Sequence, residues 1–226
     1  MKTKKKHPIR NFFLILLLVL VVGVAAVVIW QWDNIQVLIL AATTSYEELE
    51  EKLTANDERI QNVVKENENI VVRTELAEEE KQALRDGTMT SEELVEVLVT
   101  PEEGVELTEY QEEVSTEVAK VVVLREELTI ELEKMKTEAV EEINQLMEES
   151  KTADLAEVAL SYVEKAEDLE KVCDEKIETI VENLDIIQEE NGDMELLSET
   201  ILEIYEEEKD LVKAMVMAEL AKRGLV

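Results

Sequence analysis

Residues 107–146 read LTEYQEEVSTEVAKVVVLREELTIELEKMKTEAVEEINQL, and this stretch decides the fold. Leu107, Tyr110, Val114, Val118, Val121, Leu124, Leu128, Leu132, Met135, Ala139, Ile143 and Leu146 recur in steps of three and four residues. The mean step of about 3.55 is the period of one long amphipathic helix with a single apolar stripe. No Gly or Pro interrupts it, so nothing in the backbone opposes an uninterrupted helix. At about 1.5 Å per residue such a helix is about 60 Å long.

The pattern repeats downstream. Ser150 to Asp154 breaks the first helix, and Leu155, Val158, Tyr162, Ala166, Leu169, Cys173, Ile177, Ile180, Leu184 and Ile187 form a second stripe. Asn191-Gly192-Asp193 is a stop, since Gly after the last turn readily takes the left-handed cap conformation. Leu197, Ile201, Ile204, Leu211, Met215 and Ala218 mark a third helix, ending at Lys222-Arg223-Gly224. Short breaks make sequential helices antiparallel neighbours. The expected fold class is therefore all-α: an N-terminal transmembrane helix followed by an elongated antiparallel helical bundle or hairpin rod. Stripes drifting between 3.5 and 3.6 leave a coiled coil between chains as the alternative.

Upstream, Ser45-Tyr46-Glu47-Glu48 is a capping box that starts a helix carrying Leu49, Leu53, Ile60, Val63 and Val64 and ending near Asn67. Ile70-Val71-Val72 is read as an extended segment, because no second strand is evident. Ala77 to Arg85 is a short helix stopped by Asp86-Gly87, and Thr90 with Glu93 caps another. Thr100-Pro101-Glu102-Glu103 has the form of a helix start, yet Thr108 competes with it, so the beginning of the long helix is open by several residues.

The chain begins differently. Phe12 to Trp30 is an unbroken apolar run, about the length that spans a bilayer's ~30 Å hydrocarbon core. Phe12, Phe13, Trp30 and Trp32 are its candidate membrane-anchor residues, the indoles suiting headgroup depth. Lys2, Lys4, Lys5, Lys6 and Arg10 precede it as topology-determining residues, and all 55 acidic residues follow it. The positive side is the cytoplasmic side, so the expected localisation is the cell membrane, single-pass, with an uncleaved signal-anchor and the C-terminal region extracytoplasmic. A cleaved signal peptide with Val24-Ala25-Ala26 near its cleavage site is the rival reading. The expected divisions are a basic tail over 1–10, the anchor over 11–32, a membrane-proximal helix over 33–68, an irregular short-helix region over 69–106 and a three-helix elongated bundle over 107–226.

Composition narrows the chemistry. The formal net charge is −32, a sign that opposes nucleic-acid binding. The only histidine is His7 and the only cysteine Cys173, so His- and Cys-rich zinc sites and Ser-His or Cys-His nucleophile systems are unavailable beyond the tail. Cys173 falls on an apolar stripe, where a thiol packs as a small hydrophobe. No calcium-loop motif, Gly-rich phosphate loop or CxxC is present. The expectation is no catalytic residue, no cofactor-binding residue, no metal ligand and no cofactor. Like-charge pairs such as Glu127–Glu131, Glu178–Glu182 and Glu203–Glu207 mildly oppose their helices; they read as a solvated face or as attraction for basic partners or divalent cations.

Arg73-Thr74-Glu75-Leu76-Ala77-Glu78-Glu79-Glu80, Tyr162-Val163-Glu164-Lys165-Ala166 with Cys173-Asp174, and Tyr205-Glu206-Glu207-Glu208-Lys209 resemble stretches of uncharacterised bacterial single-pass membrane proteins with an acidic helical extracytoplasmic region. The resemblance implies no activity. The expected function is a helical protein presenting an acidic surface for structural or protein-interaction work, with the lipid bilayer and either a protein partner or a second copy as partners. A membrane-tethered sensory or ligand-binding module is the alternative.

Overall fold

The computed structural model describes residues 37, 40–101, 105–148, 155–193 and 197–222. These residues are helical or irregular, with no strand among them. In chain order the helices are α1 (Tyr46–Glu66), α2 (Glu78–Arg85), α3 (Ser91–Val99), α4 (Glu109–Glu148), α5 (Leu155–Asn191) and α6 (Leu197–Lys222).

Local sequence explains their ends. Ser45 caps α1 reciprocally: its hydroxyl accepts from the Glu48 N–H at 3.2 Å, and the Glu48 carboxylate accepts from the Ser45 N–H at 3.0 Å. Thr90 and Glu93 close the same box on α3. The open start of α4 is decided at Thr108, which exchanges hydrogen bonds with Gln111. Thr100 instead closes α3, its N–H donating to the Val97 carbonyl and its hydroxyl to the Glu96 carbonyl at 2.8 Å. Gly87 and Gly192 stand at φ 67° and 68°. The amide after each reaches back across the last turn, Thr88 to the Ala83 carbonyl and Asp193 to the Gln188 carbonyl, both at 2.9 Å. This is the left-handed stop that glycine supplies without strain.

The long helices form an antiparallel hairpin. Tyr110 bonds Asp193, Glu127 pairs with Lys176 and Tyr162 bonds Glu142, so rising numbers on α4 meet falling numbers on α5. α6 returns along α5, with Ser198 on Asp185, Tyr205 on Asp174 and Lys213 on Glu170. α1 then runs antiparallel to α6: Arg59 meets Glu203 and Glu207, while Leu49 packs with Leu211 and Ala214. The main core gathers Val114, Val118, Val121 and Leu124 of α4, Cys173, Ile177, Ile180 and Leu184 of α5, and Leu197, Ile201 and Tyr205 of α6. Ile70 closes its end, and the extended segment from Ile70 is held by Val71 N–H on the Ser115 hydroxyl (2.8 Å) and Arg73 N–H on the Leu98 carbonyl (3.0 Å).

A second core lies on another face of α4, where Leu94, Val95, Leu98 and Val99 of α3 meet Ala119, Val122 and Val123. The middle of α4 is thus buried on nearly all sides, which its run Val121-Val122-Val123-Leu124 permits.

The expected membrane localisation is corrected. No helix among the described residues is long and apolar enough to cross a membrane. The reason is charge: α1, α4, α5 and α6 carry acidic side chains along their length, and each costs several kcal/mol in hydrocarbon. Phe12, Phe13, Trp30 and Trp32, with Lys2, Lys4, Lys5, Lys6 and Arg10, lie outside the described residues.

Candidate acidic groove

Basic residues of the bundle are committed to internal ion pairs. Arg125 holds Glu208 and Asp57, Arg59 holds Glu203 and Glu207, and Arg73 holds Glu80. Arg85 meets Glu133, Lys176 meets Glu127, and Lys209 and Lys213 converge on Glu170. Acids outnumber bases 55 to 23 in the chain, so many carboxylates keep their full field. Two of the like-charge pairs read from sequence, those at 127 and 203/207, are drawn into these bridges between helices. Glu178 and Glu182 stay exposed.

The excess is shaped into a groove of about 460 Å³ between the start of α4 and the end of α5. Glu109, Glu112, Glu113, Thr116 and Glu117 line one side; Asn183, Ile186 and Ile187 line the other. Glu109, Glu112 and Glu113 are exposed, and the first two sit in the first turn of α4, where the helix dipole favours a negative charge.

Glu117 has no such excuse. It stands two turns further in, only 6% exposed, at a seam position of the series Tyr110, Val114, Glu117, Val121, Leu124 and Leu128. Every other member of that series is apolar or aromatic. One carboxylate oxygen accepts from Lys120 Nζ at 2.6 Å, and the other is buried without a hydrogen-bond partner. An orphaned buried acceptor costs about 1–3 kcal/mol. On the other side of the groove, Ile186 of α5 is 55% exposed. A buried half-satisfied acid across a groove from a wet isoleucine is a site able to take a group that is cationic at its tip and apolar along its stem.

Reading the sequence for one stripe passed over Glu117, because Val118 satisfies the same 3–4 step. The seven-residue register through Tyr110, Glu117 and Leu124 carries the signal: a charge at a seam position.

Other candidates resolve differently. Cys173 is buried in the main core, where burial pushes its thiol above the ordinary value. Among the described residues, no group of three or more His, Cys, Asp and Glu side chains is placed to hold a metal ion. Compared with known protein families, with curated proteins and with solved structures, the chain shows no match.

Proposed function

We propose that this protein is a helical docking protein that binds a positively charged protein segment along the α4–α5 groove. The observation that carries the reading is the placing of Glu109, Glu112, Glu113 and Glu117 across the groove from the exposed Ile186. The acids supply attraction and speed of encounter, which weaken with salt. The isoleucine supplies apolar contact that simple charge attraction does not need. The bundle's part is to hold the groove rigid: α4 is gripped on one face by α3 and on another by α5 and α6.

The test is fluorescence anisotropy of a labelled peptide alternating basic and apolar residues, titrated with the whole chain at low and high salt. Salt-sensitive binding is expected, lost on reversing Glu112 and Glu113 to Lys and kept on reversing the exposed Glu178 and Glu182. Equal loss from both reversals would mean attraction by net charge alone and would sink the groove as a docking site.

A further inference from the structure

Resting on the docking reading, we propose that the groove takes an arginine side chain, whose guanidinium displaces Lys120 from Glu117 and bonds both carboxylate oxygens. Lys120 touches Oε1 alone and leaves Oε2 unpaired. An ammonium is a point donor, whereas a guanidinium presents two parallel N–H groups at the spacing of a carboxylate's two oxygens. With Lys120 on Oε1, the second carboxylate oxygen is left for a donor that a single ammonium does not supply.

The surroundings fit the rest of an arginine. Lys120 lies one turn along the same helix and is 41% exposed at its side chain, so its flexible stem can swing into water. Ile186 and Ile187 offer an apolar wall on the opposite helix for the aliphatic stem. Glu113, four residues before Glu117, adds negative charge at the rim. The exchange is one of hydrogen bonds only: the incoming guanidinium gains two, Glu117 gains one, and Lys120 exchanges its carboxylate for water.

The test uses two peptides, identical except for Arg or Lys at one central position, titrated against the full chain. The Arg peptide is expected to bind about tenfold more tightly, the worth of one charged hydrogen bond. Glu117→Gln should erase that preference while the salt-dependent attraction of both peptides persists; circular dichroism melting checks that the variant folds. Lys120→Gln, which removes the competitor and one like charge, should tighten both peptides but the Arg peptide more, because only a guanidinium fills both oxygens. That variant carries the test if Glu117→Gln unfolds. Equal affinities for the twins, with both dependent on Glu112 and Glu113, would overturn the arginine site and leave docking standing. Failure of both peptides to bind would overturn the arginine site and the docking reading together.

Discussion

Arg125 of α4 and Glu208 of α6 clasp each other side by side. Nε of the guanidinium lies 2.7 Å from one carboxylate oxygen, and Nη2 bonds the other while also holding Asp57 of α1. One arginine thereby ties three helices, with side chains only 24% exposed for Arg125 and 10% for Glu208. Burial holds the Glu208 carboxyl above its ordinary value against the pull of Arg125.

Removing one partner should therefore hurt more than removing both. Glu208→Ala leaves the guanidinium with Asp57 alone and is expected to cost about 3 kcal/mol in urea unfolding. Arg125→Met combined with Glu208→Leu should recover most of that loss. A double variant no better than the worse single one would mean that the clasp adds net stability.

Glu80 makes the opposite kind of ion pair. The Arg73 guanidinium, 2.9 Å from one carboxylate oxygen, holds it below the ordinary value of 4.5 against a modest opposing effect of burial. The same carboxylate caps α2 by accepting from the Ala77 N–H at 2.7 Å. A carboxyl lowered in the folded state adds stability that is present above its unfolded value and lost as pH falls through the folded one. Carbon-detected NMR titration should place Glu80 below the chain's exposed glutamates, and Arg73→Ala should raise its midpoint. No change in that substitution would refute the pairing.

Tyr205 titrates at the other extreme. Burial, aided by its 2.7 Å hydrogen bond to Asp174, pushes the phenol far above its usual value. A raised phenol contributes stability in full below its ordinary value of about 10, lost progressively as pH rises beyond it. Ultraviolet titration should show one tyrosine ionising only as the protein unfolds, and Tyr205→Phe should delete that late step at a cost of about 1 kcal/mol near neutrality. A late step that survives Tyr205→Phe belongs to another residue.

Leu98 joins α3 to α4 and is 1% exposed. Leu98→Ala should cost about 2–5 kcal/mol through the cavity it leaves. Hydrogen exchange should show α3 losing protection before the α4–α5 hairpin does. Uniform loss across both would mean that the two cores unfold as one unit.

The helices were legible because their signals are local. Ser45 with Glu48, Thr90 with Glu93, and the glycines at 87 and 192 act within one turn of chain, and each does in the fold what its sequence implies. Cys173 was legible as a buried hydrophobe for the same reason of register. The second face of α4 was not: Ala119, Val122 and Val123 are isolated apolar residues until α3 lies on them. Glu117 was hidden likewise, since no residue near it in sequence says that it lines a groove with Ile186 and Ile187 of α5.

Sequence alone determined that these helices exist, where α1 and α3 are capped and which residues form each apolar stripe, because backbone caps and a 3.6-residue period involve only near neighbours. The start of α4, where Thr100 and Thr108 compete, was left to the fold. Tertiary structure alone decided that α4 is packed on two faces, that Arg125 reaches Asp57 and Glu208, and that a carboxylate at 117 is buried half-satisfied across a groove from an exposed isoleucine. Those facts depend on which surfaces meet, and the meeting of surfaces is set by packing between side chains distant in the chain, 68 and 83 positions for Arg125 with Asp57 and Glu208.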